Sequence, residues 1–136
     1  MSSMILRAAA RVLMPLLLVF AVFLLFRGHN EPGGGFVAGL VVAVAFVLRV
    51  LAEGTAAARE ALIVRPWGML GSGLLIALAT GFVPVALGRP FLTAIWVPLG
   101  PPEWELLVGT PILFDVGVCL VVIGVVLTMT FSLTED

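Results

Sequence analysis

The stretch VLMPLLLVFAVFLLFRGHNEPGGGFVAGLVVAVAFVL, Val12 to Leu48, decides the fold. Two apolar runs flank the segment RGHNEPGGGF, Arg27 to Phe36, which gathers an arginine, a histidine, an asparagine, a glutamate, a proline and three consecutive glycines. Crossing hydrocarbon takes about 20 mostly apolar residues. A helix is the open-chain element that satisfies its own backbone there. The runs therefore read as two membrane helices, and the polar segment as a turn joining them. In that turn Asn30 or Glu31 can cap a helix whose first turn holds Pro32, with Glu31 facing the positive end of the helix dipole.

Composition extends this reading to the whole chain. Of 136 residues, 62% are hydrophobic and 11% charged. A soluble chain of this length could not hide so much apolar surface. The expected class is an all-α integral membrane protein, one membrane domain over residues 1–136. Its four transmembrane helices fall near 5–26, 35–51, 67–87 and 112–133, with a long outer loop between the third and fourth. Arg7 and Arg11 ahead of the first run resemble a signal peptide's basic region. No small-x-small cleavage site follows, so the run reads as a retained helix. Pro15 and Pro84 are expected to kink their helices. Thr110 and Pro111 read as the N-cap and first residue of the fourth span.

The net charge is −1 and all seven cations are Arg, scattered along the chain. That excludes a basic surface for nucleic acid. Five arginines (Arg7, Arg11, Arg49, Arg59, Arg65) fall on one side of the expected topology and two (Arg27, Arg89) on the other, which places both termini in the cytoplasm. Arg49 and Glu53 are spaced to pair on a helix, with Gly54 a break after them. Phe91 to Leu99 is apolar but too short to span. It suits a segment lying in the interface or packed on a neighbour. Trp67, Trp96 and Trp104 could anchor at headgroup depth or pack against protein.

Membrane helices associate through close backbone approach and occasional hydrogen bonds rather than by expelling water. Gly73, Ala77 and Gly81 form one stripe, Gly35 and Gly39 a second, and Gly117 and Gly124 a third. These stripes point to contacts with other helices, and four short helices supply only some of them, so partner subunits are expected.

An ionisable group inside a span costs about 2.5–3.5 kcal/mol on insertion scales. Asp115 is the candidate, one turn past Pro111. Two readings stand: a proton or sodium site, or a carboxylate held by the helix dipole near water. Glu31 and His29 follow it as ion-route candidates; capping and loop hydrogen bonding are their structural alternatives. Gly33, Gly34 and Gly35 are no phosphate loop, since no GK[ST] follows. They allow tight packing against another surface. No nucleophile–base pair, metal-ligand set or dinucleotide fingerprint is present, and Cys119 has no partner for a disulfide. No enzyme activity, metal or cofactor is expected. A self-sufficient ion translocator needs several ionisable groups in series, so the chain reads as a subunit of a larger machine.

The segment RGHNEPGGGFVAGLV, followed late in the chain by GTPILFDVGVCLVVIGVVLTMTFSL, resembles the B subunit of Mrp/Mnh-type multisubunit sodium/proton antiporters. The resemblance covers almost the whole chain and is weakest after Gly88. It implies a bacterial cell-membrane complex of six or seven different membrane subunits that exchanges Na⁺ for H⁺. In it, large subunits carry the membrane Lys and Glu residues and the B subunit is a small companion required for assembly and activity. It also implies kinship with membrane-bound hydrogenases and the membrane arm of respiratory complex I, so an equivalent subunit of such an assembly is the alternative, together with a purely structural scaffold. By motif match the resemblance singles out His29, Asn30, Glu31, Pro32, Gly33, Gly34, Gly35, Phe36, Thr110, Pro111, Phe114, Asp115 and Gly117.

Overall fold

The computed structural model describes residues 4–27, 34–62, 65–91, 95–99 and 106–134. The elements are α1 (Met4–Arg27), α2 (Gly35–Glu53), α3 (Thr55–Ala61), α4 (Pro66–Ala86), β1 (Trp96–Leu99), β2 (Leu106–Gly109) and α5 (Thr110–Thr134). Four of them, α1, α2, α4 and α5, are long and apolar enough to cross a membrane.

Helix α5 lies at the centre. It runs parallel to α2, with Gly35 against Asp115 and Gly39 against Cys119 and Val122. It runs antiparallel to α4, with Gly73 against Gly117 and Leu70 against Gly124. Helix α1 packs mainly on α2. The order across the bundle is therefore α1, α2, α5, α4. The interior is filled by Met14, Leu24, Phe46, Val50, Ile123, Leu127 and Phe131. Large apolar side chains on the outside, such as Val19 and Phe23 on α1, face outward with more than half their surface open. In a bilayer this surface meets lipid tails or neighbouring subunits, and exposing it carries no penalty.

Prolines and glycines shape the course and the ends of these helices. Helix α1 runs from Met4 to Arg27 as one element with Pro15 inside it. Pro84 sits in the last turn of α4, where the chain closes in a Schellman motif. The Arg89 amide donates to the Pro84 carbonyl at 2.8 Å and the Gly88 amide to Val85 at 3.0 Å. Gly88 has φ 80°, the left-handed region that this motif demands. Gly54 is the break expected after Arg49 and Glu53: it ends α2, and the short helix α3 follows.

The loop after α4 is not a single interfacial segment. Its ends pair as an antiparallel ribbon, Trp96 opposite Gly109 and Leu99 opposite Leu106. Pro98, which cannot donate a ladder bond, is tolerated because a two-stranded ribbon leaves one side of each strand unpaired. The ribbon is tied to α5 directly. The Ile95 amide donates to the Thr110 hydroxyl at 3.0 Å, and the Thr110 amide returns a bond to the Ile95 carbonyl at 3.0 Å. Thr110 thus serves the ribbon with its hydroxyl and is the first residue of the helix, not a cap outside it. Phe91 rests on Phe82, ring centroids 4.9 Å apart.

At the opposite end of the bundle the expected pair on α2 is present: Arg49 Nε lies 2.8 Å from Glu53 Oε2. The two atoms are out of line for a hydrogen bond, so their attraction is Coulombic. Arg11 of α1 approaches the same carboxylate at 3.8 Å. One largely buried glutamate thus faces two guanidinium groups and clamps α1 to α2. Glu53→Gln is expected to cost about 1 kcal/mol. The check is a lower thermal midpoint for the purified chain, with the difference from wild type shrinking at high salt as screening takes over.

Candidate functional site

The two polar motifs lie 80 positions apart in sequence, Gly35 against Asp115, and the fold brings them into contact. The N-cap position of α2 is held by Gly34, at φ 97° and ψ −171°, rather than by the expected Asn30 or Glu31. An L side chain rarely adopts that φ, so glycine is required here for conformation. The Gly34 amide donates to the Leu24 carbonyl at 2.9 Å, which fixes the end of α1 to the start of α2. The next residue, Gly35, lies directly on the backbone of Asp115: a β-carbon there would fall 2.9 Å from the Asp115 carbonyl carbon and 3.0 Å from its α-carbon. His29, Asn30, Glu31, Pro32 and Gly33 lie outside the described residues, as does Trp104.

Asp115 occurs in the second turn of α5 and is half-buried. With a rise of about 1.5 Å per residue, it lies roughly 7 Å inside the start of the helix. Its backbone packs on Gly35, next to the Gly34–Leu24 hydrogen bond.

The remaining glycines have a different destination from the one expected. Gly73 and Gly117 face each other reciprocally: a β-carbon on Gly73 would lie 2.6 Å from the Gly117 carbonyl oxygen, and one on Gly117 would lie 2.7 Å from that of Gly73. Ala77 completes this contact, 2.8 Å through its amide nitrogen from the same position on Gly117. Gly124 meets Pro66 and Leu70. Gly81 is buried. The stripes thus close the bundle on itself. The expectation that they seek foreign helices is corrected at Gly35, Gly39, Gly73, Ala77, Gly117 and Gly124, because α5 carries small residues on two faces and lies between α2 and α4.

Two motif residues face outward. Phe36 is 59% exposed, so its ring leaves the bundle. Phe114 lines an apolar groove of about 330 Å³ with Leu74, Ala77, Leu78, Phe91, Val118 and Val121.

Residues 5–128 match the family described as a domain related to the MnhB subunit of Na⁺/H⁺ antiporter. The chain belongs to the MnhB family. Among MnhB relatives, it is 38% identical to the Na⁺/H⁺ antiporter B subunit of Alkalihalophilus pseudofirmus, over 99% of this chain and 94% of that protein. It is 36% identical to the corresponding B subunit of Bacillus subtilis, over 99% and 95%. It also superimposes, with a TM-score of 0.79 and 32% identity, on a chain in the structure of the Mrp complex from Dietzia sp. DQ12-45-1b. That match covers 97% of this chain but 14% of the other, so there the MnhB fold is one segment of a much longer polypeptide.

One feature of this MnhB chain was not legible as a site in the sequence. At the end of the bundle away from Asp115, Arg59, Arg65, Pro66, Trp67, Thr128, Phe131 and Ser132 enclose a cavity of about 170 Å³. Its residues come from α3, the start of α4 and the end of α5. No linear spacing links them.

Proposed function

We infer that this chain is the B subunit of a multisubunit Na⁺/H⁺ antiporter in a bacterial cell membrane, acting as a transporter component and not as an enzyme. The observation that carries the reading is the full-length likeness to antiporter B subunits. The Mrp match adds a physical argument. A fold that forms one part of a longer chain within that complex is a module that seats against other membrane protein. Its neighbours are the other membrane subunits of the antiporter. The five-to-two arginine distribution supports both termini being cytoplasmic, with the Gly34–Asp115 junction and the ribbon outside.

Asp115 is proposed to contribute to the cation or proton route together with Glu31 and His29. What supports this is an acidic residue on a span-length apolar helix, at a contact between the two motifs. The other charged side chains of the described spans cluster toward helix ends, at Arg7 and Arg11 on α1 and at Arg49 and Glu53 on α2. That spacing supplies no continuous relay across this chain, so transport needs the larger subunits.

The experiment is reconstitution. A tagged copy is expected to co-purify with the other antiporter subunits, and vesicles lacking this chain alone are expected to lose Na⁺-dependent proton exchange. Exchange that persists without it would overturn the reading. Asp115→Asn is expected to leave the complex assembled and to slow exchange about tenfold, the loss of one charged contact worth about 1.5 kcal/mol. Unchanged exchange would reduce Asp115 to a structural role.

A further inference from the structure

We propose that the apolar groove between α4 and α5 seats one acyl chain of a phospholipid whose phosphate lies at Arg89. Every side chain lining the groove is apolar. Leu74 and Leu78 of α4 form one wall, and Val118 and Val121 of α5 form the other. Ala77, whose backbone touches Gly117 in the seam between the two helices, lies at the bottom. The groove opens outward, since Leu74 and Leu78 keep about half their surface exposed.

Its length and direction match one leaflet. The lining residues follow the helix axes, from Phe114 to Val121 on α5, a run of about 10 Å at about 1.5 Å per residue. Phe114 lies roughly 6 Å inside the start of α5. Phe91, beyond the end of α4, carries the groove on toward the span boundary and rests on Phe82. Half of the hydrocarbon core is about 15 Å thick. The volume of about 330 Å³ takes on the order of ten methylene-sized groups, each near the roughly 30 Å³ share of one liquid water.

The walls favour a lipid tail over a helix from a neighbouring subunit. Membrane helices meet where small residues let their backbones approach, as Gly73 and Gly117 do inside this bundle. Here branched side chains stand on both walls, so a third helix would be held off and Ala77 would stay uncovered. A flexible chain enters between the walls and recovers the dispersion contacts that an unfilled groove forgoes. Charge sets the place of the headgroup. Arg89 stands two residues ahead of Phe91, so their α-carbons are within about 7 Å of each other. It is exposed, and among the described residues no carboxylate pairs with it. A guanidinium at the end of a span stands at phosphate depth, and phosphate is an anion it binds well.

The test uses the full chain in mild detergent and native mass spectrometry. Phosphatidylglycerol, diacylglycerol with the same acyl chains, and glycerophosphoglycerol (the headgroup without acyl chains) are titrated separately. Wild type is expected to retain phosphatidylglycerol and not glycerophosphoglycerol. Leu78→Trp, which fills the groove from its half-exposed wall, should bind phosphatidylglycerol about tenfold more weakly. Arg89→Gln should bind it a few-fold more weakly while binding diacylglycerol as wild type does. Arg89 lies beyond the end of α4, so that variant keeps the test decisive if Leu78→Trp fails to fold. Phosphatidylglycerol held equally by wild type and both variants, or not held by wild type, would overturn the proposal. So would a Leu78→Cys variant that a short-reach reagent cross-links to another subunit in the assembled antiporter, because protein would then occupy the groove.

Discussion

Gly117→Leu is expected to dismantle the bundle. At Gly117 the α4 and α5 backbones meet without a side chain between them, and the atoms that a β-carbon would strike are the Gly73 carbonyl oxygen at 2.7 Å and the Ala77 backbone at 2.8 and 3.2 Å. None of these can swing aside as a side chain could. The helices must separate, and separation also opens the Gly124 contact with Leu70 and Pro66 farther along the same seam. In lipid no hydrophobic gain compensates, because the parted surfaces are covered by acyl chains of equal polarity. The cost is on the order of 3 kcal/mol, about a hundredfold in the folded fraction. Denaturant titration of the purified chain measures it. Gly71→Leu is the internal comparison: Gly71 lies on α4 with nothing within 4 Å of its missing β-carbon, so that variant should match wild type in the isolated chain.

The same contrast shows what the sequence could and could not reveal. The spans were legible to within about two residues, because hydropathy and helix length are local properties of the chain. The Arg49–Glu53 pair was legible for the same reason, since helix spacing alone brings the two together. The glycine stripes were visible, yet their destination was not. A stripe specifies close approach and leaves the partner open, and only the three-dimensional order α1, α2, α5, α4 shows that α5 uses two faces for neighbours within the chain.

The ribbon escaped notice because Pro98, Pro101 and Pro102 interrupt any alternating pattern, and because its strands are four residues each. Thr110 reads equally as a cap or as a ribbon anchor until Ile95 is seen beside it. The cavity with Arg59, Arg65 and Thr128 is assembled from three elements and has no linear trace. The pairing of Gly35 with Asp115 was illegible for a related reason: both motifs stood out, and nothing in either one names the other.

That pairing sets the second large effect. Gly35→Ala adds a single methyl group, yet all the nearest atoms it meets belong to the backbone of Asp115. Gly39, one turn farther along, is more forgiving, since two of its three nearest atoms are in the Val122 side chain. A methyl at Gly35 must therefore push α5 off α2 at the end of the bundle where Gly34 also ties α1 to α2. The expected cost is about 1–3 kcal/mol, and it falls on the junction that positions Asp115. Gly35→Ala should consequently lose antiport together with assembly, whereas Asp115→Asn should slow antiport in a complex that still assembles. Native gels paired with vesicle exchange measurements separate the two. If Gly35→Ala vesicles held intact complex and exchanged ions at the wild-type rate, α2 and α5 would have to stand farther apart in the antiporter than they do in this chain. The close approach of the two motifs would then have no part in transport.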